Sequence, residues 1–103
     1  MIVTVFRSRL RREHEQEYTR VAAEMKALAQ AMPGFVSMKT FTAPDGERVS
    51  IVEFASQAAH DAWRDHPRHR EAQDLGREKF YSAFRIQVCG VERDYAMDAP
   101  PAP

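Results

Sequence analysis

The first third of the chain changes from a two-residue hydrophobic period to a helical one. Residues 1–10 read MIVTVFRSRL and alternate, with apolar side chains on both sides at the start, which is typical of a strand buried on two faces. From Glu13 onward apolar residues fall on one helical stripe, which Pro33 and Gly34 end, so the pattern predicts a helix over 13–32. The stripe consists of Tyr18, Val21, Ala22, Met25, Leu28, Ala29 and Met32.

Two further alternating runs flank a turn in the middle of the chain. Residues 35–42 and 47–54 are predicted strands, and the segment Ala43-Pro44-Asp45-Gly46 between them has the composition of a hairpin turn. Both runs carry apolar residues on both faces, as the first strand does.

The last third predicts two short helices and a final strand. Ser56 suits the cap of a helix that ends near His66, and Pro67 suits the first position of a second helix that runs to about Phe80. The inner face of this second helix would carry Ala72, Leu75, Gly76 and Phe80. Strict alternation in the final strand, to Val91, puts Tyr81, Ala83, Arg85, Gln87 and Cys89 on one face, opposite Ser82, Phe84, Ile86 and Val88.

The element order β-α-β-β-α-α-β predicts a single domain over residues 1–92, followed by a mobile tail over 93–103. Right-handed crossovers fold this order into a ferredoxin-like α+β sandwich, in which helices cover one face of a four-stranded antiparallel sheet. Three strands nevertheless carry apolar side chains on both faces. Because monomers rarely expose a large apolar patch, we expect a second copy to cover the helix-free face and form a homodimer.

The amino-acid composition limits the kinds of binding partner and the cellular location that we expect for this protein. Among the 103 residues, 15 are Lys or Arg and 15 are Asp or Glu, so the formal net charge is zero with neutral histidines. This balance argues against a nucleic-acid or an anionic membrane partner. No apolar run approaches the ~18 residues of a membrane span, no charged leader precedes the first strand, and one cysteine excludes an internal disulfide. We therefore expect a cytoplasmic protein.

The densest group of candidate functional side chains lies between residues 63 and 85. It comprises Trp63, His66, His69, Tyr81, Phe84 and Arg85. Aromatic rings stack on flat ligands, a neutral imidazole accepts a proton near neutral pH, and a guanidinium stabilises a developing oxyanion. The group therefore predicts a pocket, although it does not identify the ligand.

Four of these candidates also have a structural interpretation. Trp63 equally suits a core anchor, His66 suits the cap of a helix end, and His69 is expected at the rim. Arg85 suits an ion pair across the dimer, with Glu53 as a candidate partner. Core packing is the preferred role of Met25, Met32, Met38 and Cys89.

The histidines are poor candidates for metal ligands. His60, His66 and His69 have no cysteine or carboxylate at ligand spacing, and Pro67 separates the last two into different helices. A catalytic zinc site usually takes three protein ligands with defined outer partners. We therefore expect no metal site.

Four segments resemble the antibiotic biosynthesis monooxygenase family. They are MIVTVFRSRL, AMPGFVSMKTF, PDGERVSIVEF and AWRDHPRHREAQDLGREKFY, and the resemblance extends from Ile2 to Glu92. The best-known members are dimeric α+β barrels that oxygenate polycyclic phenolic compounds with dioxygen, without metal, flavin or haem. The resemblance therefore implies a dimeric α+β barrel, no cofactor, and a mechanism in which the deprotonated substrate passes an electron to oxygen.

The resemblance also implies roles for single positions. Trp63 matches a tryptophan that lines the pocket of active members, and His69 lies near the place of a tyrosine, for which it can substitute as acid or base. Active members tend to carry an asparagine where this chain has Ala59, which cannot donate a hydrogen bond to an oxyanion. Haem-degrading relatives need a histidine near Gln73 and an asparagine near the end of the first strand, so haem chemistry is excluded.

The sequence therefore favours a cofactor-independent monooxygenase that acts on a quinol or phenolic polycyclic small molecule. The catalytic candidates are His66, His69 and Arg85, and the substrate-binding candidates are Trp63, Tyr81 and Phe84. Two alternatives remain open. One is a dimeric binding or stress-response module without turnover, which Ala59 favours, and the other is an isomerase or cyclase, which needs the base but no oxygen.

Overall fold

The computed structural model describes residues 1–97, in which strands and helices follow the predicted order. The elements are β1 (Ile2–Leu10), α1 (Glu15–Ala31), β2 (Phe35–Thr42), β3 (Arg48–Phe54), α2 (Gln57–Arg64), α3 (Pro67–Leu75), a π-helical turn (Gly76–Phe80) and β4 (Tyr81–Gly90). The four strands form one antiparallel sheet in the order β2-β3-β1-β4, which confirms the ferredoxin-like α+β fold. Residues 93–97 of the predicted tail form no helix or strand, and the rest of the tail, residues 98–103, lies outside the described residues.

Local sequence signals set most element boundaries as expected. The Ser56 hydroxyl accepts a hydrogen bond from the Ala59 backbone N–H at 3.1 Å and caps α2, and Pro67 begins α3. Gly34, directly after the proline that ends α1, has a φ of 82°, a left-handed conformation that favours glycine. No helix within residues 1–97 is long and apolar enough to cross a membrane.

The second predicted helix is not one continuous α-helix. It is α-helical only to Leu75, and Gly76–Phe80 then form a wider π-helical turn that the sequence did not predict. Gly76 lies directly against the ring of Tyr81, because a Cβ built at position 76 would come within 2.6 Å of Tyr81 Cε2. The wider turn carries Phe80 into the interior, where its side chain is buried.

The strand register determines which side chains face the helices. Even-numbered residues of β1 and β3 pair with each other and share the helix-facing side. The pairs are Ile2 with Phe54, Thr4 with Val52, Phe6 with Ser50 and Ser8 with Arg48. The core lies between this side and the helices, and it is built by Met25, Ala29, Phe54 and Trp63. Met32 and Met38 pack against this cluster, in agreement with the predicted core role of the methionines.

Because of a β-bulge, the start of β4 faces the opposite side from the one predicted. Arg9 pairs with Ala83 but Leu10 pairs with Tyr81, so Ser82 has no partner of its own in β1. The extra residue reverses the alternation at this point and turns Tyr81 to the helix-facing side, together with Phe84. The prediction that Tyr81 shares a face with Arg85 was therefore wrong.

The helix-free side of the sheet carries both apolar and charged side chains. Its apolar residues are Val3, Val5, Phe41, Val49 and Ile51. Two ion pairs follow one end of this face, Arg7 with Glu47 at 3.0 Å and Arg9 with Asp45 at 2.9 Å. Cys89 is exposed here, so the expectation of a buried cysteine was wrong for the single chain, since no helix or strand of the described residues covers this side of β4.

Candidate functional site

Trp63, His66 and His69 meet where α2 ends and α3 begins. The indole of Trp63 and the imidazole of His69 stack in parallel, with centroids 4.0 Å apart and planes 11° apart, and the His66 ring lies 6.1 Å from the indole. Trp63 is only 5% exposed and packs with Phe54 in the core cluster. In this structure its indole therefore supports His69 and the core instead of presenting a free face to a ligand.

The hydrogen bonds of His69 leave one ring nitrogen available as a base. Its Nδ1 lies 2.9 Å from the Trp63 carbonyl oxygen and 3.4 Å from Gln73 Nε2. Because a carbonyl only accepts, the shorter contact assigns the proton of the neutral ring to Nδ1. The lone pair is then on Nε2. Burial lowers the pKa of His69 below its ordinary value, although the bond to the Trp63 carbonyl opposes this shift. His69 is therefore a neutral base at physiological pH.

His66 has the opposite arrangement. Its Nδ1 accepts a hydrogen bond from the Arg68 backbone N–H at 3.2 Å and caps the amino terminus of α3. In the neutral ring the proton is then on Nε2, so the lone pair serves the cap and is not available to a ligand. The structure thus gives His66 the capping role that the sequence allowed as an alternative, and His69 is the better base.

A second cluster of side chains, which we call the aromatic cluster, lies where β1, β4 and α1 meet. Its members are Phe6, Tyr18, Phe80, Tyr81 and Phe84. Tyr81 is central, with ring centroids 5.3 Å from Phe6 and 6.0 Å from both Tyr18 and Phe84. Burial, and then the neighbouring Tyr18, raise the pKa of Tyr81, so its phenol stays protonated and serves as a hydrogen-bond donor.

An apolar trough extends from the aromatic cluster along β4. The helices lie over the other half of the sheet, where α1 contacts β2 and α2 contacts β3. On the helix-facing side of β4, Phe84 is 43% exposed, and Ile86 and Val88 are each 50% exposed. We use the name apolar trough for these three residues together with Phe6, the residue of β1 that pairs with Ile86. A flat apolar ligand would cover this surface.

The sequence placed Ile86 and Val88 on the same face as Phe84 but gave no reason to assign them to the site. Their exposure depends on where the helices sit across the sheet, and periodicity within one strand carries no information on that. Phe6 was missed for the same reason. Its position in an alternating strand is typical of ordinary core packing.

One face of α3 connects the two clusters. His69, Ala72 and Gly76 follow the helical spacing of three and four residues, so they lie on one side of the helix. Ala72 packs against the core cluster, and Gly76 lies against the ring of Tyr81. His69 is seven residues from Gly76, or about 10 Å along the helix axis.

Arg85 does not join this group. It pairs in register with Arg7 and faces the helix-free side, whereas Phe84 pairs with Ser8 and faces the helices. Arg85 instead lines a surface depression of about 300 Å³ together with Arg7, Arg9 and Glu47, and Phe84 borders the same depression. The structure therefore brings Trp63, His66 and His69 together, and Tyr81 with Phe84, whereas the Arg85 side chain belongs to the opposite face of the sheet.

Ala59 brings no polar group to the site. A Cβ built on Gly34 would come within 2.6 Å of the Ala59 Cβ, so the methyl group lies against the turn after α1. Within residues 1–97 no three side chains of His, Cys, Asp or Glu are grouped so that they would hold a metal ion.

Comparison with known proteins agrees with this architecture. The sequence model of the family described as "Antibiotic biosynthesis monooxygenase" matches residues 1–75. The uncharacterized protein YqjZ of Bacillus subtilis (strain 168) is 29% identical over 86 residues, which are 84% of this chain and 75% of YqjZ.

Two solved structures show the same fold at low sequence identity. Rv0793 from Mycobacterium tuberculosis superposes with a TM-score of 0.80 at 18% identity and covers 92% of this chain and 98% of its own. A mutant of SnoaB, a cofactor-independent oxygenase from Streptomyces nogalater, gives a TM-score of 0.76 at 17% identity, over 90% of this chain and 94% of its own. Because the family model matches well over half of the sequence, this chain belongs to the antibiotic biosynthesis monooxygenase family.

Proposed function

We propose that this protein is a cofactor-independent monooxygenase that acts on a quinol-type or phenolic polycyclic compound. The observation that carries the proposal is the state of His69, a neutral base with a free Nε2 on the α3 face that leads to the aromatic cluster. Family membership supports an oxygenase, and SnoaB, which shares the fold, is a cofactor-independent oxygenase.

In this proposal the ring system of the substrate lies in the apolar trough. Phe84, Ile86 and Val88 form its floor, and contact with a flat ring would remove their exposed apolar surface from water. Arg77 places its guanidinium 5.9 Å from the Phe84 ring and borders the trough on the helix side. Trp63 acts through His69, whose imidazole it holds by parallel stacking.

The reaction then requires a base and a site that binds the ring and excludes water. His69 Nε2 takes the phenolic proton, and the electron-rich phenolate passes one electron to dioxygen. Recombination of superoxide with the ring radical, and uptake of a proton, give a ring hydroperoxide. For an anthrone-type ring, loss of water with the remaining C–H proton leaves a carbonyl. Overall a ring CH2 group and O2 become a C=O group and one water.

The homodimer is part of the proposal, because no helix or strand within residues 1–97 covers the apolar residues of the helix-free side. A second copy would bury Val5, Ile51 and Phe41 against their own counterparts around a two-fold axis. Arg85 and Glu53 both lie on this side, so Arg85 is proposed to pair with Glu53 of the second copy instead of with substrate.

Ala59 favours a second candidate, a binding module on the same fold that holds the aromatic ligand without turnover. The methyl group of Ala59 lies against Gly34 and offers no hydrogen bond to an oxyanion. An isomerase or cyclase, which would use His69 as a base without oxygen, is the third candidate.

Oxygen consumption separates the oxygenase from the other two candidates. Purified protein would be supplied with a panel of quinols and anthrones, and the expected result is uptake of one O2 for each ring oxidised. His69→Ala is expected to lower the rate by roughly a hundredfold, a usual contribution of a positioned base. His14→Ala, an exposed histidine at the start of α1 without a side-chain cap bond, is the matched control and should leave the rate unchanged. Binding without uptake for every compound would favour the binding module.

The pH dependence of turnover tests the role of His69 directly. Because burial lowers the pKa of His69, its base form prevails at and above the ordinary histidine value of about 6.5. We expect kcat/KM of the free enzyme to be flat above that value and to fall as the pH drops below it. A fall that begins above pH 7 would contradict this assignment.

A further inference from the structure

The helix-facing side of the β2–β3 hairpin changes character along its length. At the end near α2 it is apolar, with Phe35 and Met38 of β2 beside Val52 and Phe54 of β3. At the end near the turn the positions that continue this face are polar. They are Thr40, Thr42, Ser50 and Arg48, and the Thr40 and Ser50 hydroxyls lie 2.7 Å apart. A polar patch on the side of a sheet that normally builds the core requires a reason.

Arg48 is the charged group of this patch. Residues 1–97 contain two half-buried arginines, Arg48 and Arg68. Arg68 binds Glu24 at 2.6 Å and Glu71 at 2.8 Å. Within the same described range Arg48 makes no salt bridge and donates no side-chain hydrogen bond. A half-buried guanidinium with free donors is an anion-binding group.

Two tyrosines border this guanidinium. The Arg48 Cζ lies 5.3 Å from the centroid of the Tyr18 ring, in cation–π contact, and the Tyr18 ring lies 6.0 Å from that of Tyr81. The Tyr81 phenol is hydrogen-bonded to that of Tyr18, so the pair presents one further O–H donor beside its two aromatic rings. Beyond Tyr81 the aromatic cluster continues through Phe6 to Phe84 and the apolar trough. The cation thus lies at one end of a continuous aromatic surface.

We propose that Arg48, Tyr18 and Tyr81 bind the carboxylate of an aromatic acid whose ring system lies in the apolar trough. The planar fork of a guanidinium matches a carboxylate in two parallel hydrogen bonds, and this match is stronger where water is partly excluded. A neutral phenol or quinone would leave the cation without a counter-charge. As a statement about the oxygenase substrate, this inference rests on the proposed function, but the binding site itself is tested without turnover.

Equilibrium binding of two matched probes tests the site. The first probe is 2-naphthoate, and the second is 2-naphthamide, which has the same shape but no charge. The full-length protein at constant ionic strength is expected to bind the carboxylate roughly tenfold or more tightly, as charge-assisted pairing would give. Equal affinity for the two probes would overturn the proposal.

Two arginine variants show which cation causes the preference for the carboxylate probe. Arg48→Gln is expected to remove the preference for the carboxylate while binding of the amide is retained, which also shows that the variant is folded. Arg20→Gln, an exposed arginine of α1, removes the same charge elsewhere and should keep the preference. A preference that survives Arg48→Gln would overturn the proposal. If Arg48→Gln binds neither probe, Arg48→Lys is tested in its place, because it keeps the positive charge. A lysine variant without a preference for the carboxylate would overturn the proposal.

Amide chemical shifts in NMR spectra locate the probe. Binding of 2-naphthoate is expected to shift the amides around positions 18, 48 and 81. The competing location is the charged surface depression near Arg64, Arg70 and Arg77, where Asp65 and Asp74 already supply counter-charges. Shifts confined to that depression would overturn the proposal. Binding at Arg48 without any oxygen uptake would leave this site in place and remove only the proposed oxygenase activity.

Discussion

His66 and His69 lie one helical turn apart, yet their imidazoles have opposite hydrogen-bonding roles. His66 Nδ1 accepts from a backbone N–H at the start of α3, whereas His69 Nδ1 donates to a carbonyl at the end of α2. The sequence indicated both as candidate bases because they are the same residue type beside the same helix break. Their difference depends on the backbone groups that the break presents to each ring.

Because His66 caps α3, we expect its substitution to lower the stability of the protein but not its activity. His66→Ala removes the acceptor for the Arg68 N–H and should lower the free energy of unfolding by about 1 kcal/mol, whereas His66→Asn should restore most of it. Urea unfolding of the three proteins measures this difference. If oxygen uptake falls in His66→Ala as far as in His69→Ala, the assignment of the base to His69 is wrong.

At the scale of the elements, two irregularities orient Tyr81. The β-bulge at Ser82 turns the side chain toward the helices, and the π-helical turn places Gly76 against its ring. The sequence indicated a helix and a strand here but neither irregularity, because strict alternation and a continuous helix were the simplest patterns. Both irregularities lie where α3, β1 and β4 meet, and local propensity does not reveal them.

Gly76→Ala tests this packing. The backbone at Gly76 is right-handed helical, so alanine would by itself stabilise the helix, by up to about 1 kcal/mol. Because the new Cβ would lie 2.6 Å from the Tyr81 ring, which is held by Phe6 and Tyr18, we expect a net loss of about 1–3 kcal/mol instead.

Two controls accompany this variant in urea unfolding. The penalty should largely disappear in a Tyr81→Ala background, since the ring that obstructs the Cβ is then absent. Gly90→Ala, at a glycine with open space around its Cβ position, should change stability little. A net gain in stability from Gly76→Ala would show that the position of the Tyr81 ring does not require a glycine at position 76.

At the scale of the whole molecule, the sheet has two incompletely covered apolar surfaces. One is the helix-free side, and the other is the apolar trough on the helix-facing side of β4. We assign the first to a second copy of the chain and the second to a ligand. Both contain isoleucine, so a matched pair of substitutions distinguishes them.

Ile51→Asp is expected to convert the proposed dimer to a monomer, because it introduces a charge into the apolar centre of the helix-free side. Ile86→Asp places the same charge in the apolar trough and should leave the dimer intact while weakening ligand binding. Light scattering after size-exclusion chromatography measures the mass of each. A wild-type protein that is monomeric at micromolar concentration would contradict the dimer, as would a dimer that survives Ile51→Asp.

Some features of this protein follow from the sequence alone because they depend on neighbours along the chain. The helical stripe of α1, the hairpin turn, the cap at Ser56 and the break at Pro67 are local, and they were sufficient to predict the ferredoxin-like fold. The same patterns identified Trp63 and the two histidines as a group and Phe84 as a ring on the opposite face from Arg85.

The tertiary structure decided what depends on residues far apart in sequence. The free nitrogen of His69, the turn of Tyr81 toward the helices and the position of Arg48 beside Tyr18 result from contacts between α1, α3, β1, β3 and β4. Hydrogen-bond direction, burial and charge pairing are properties of surroundings, and a one-dimensional pattern does not contain those surroundings.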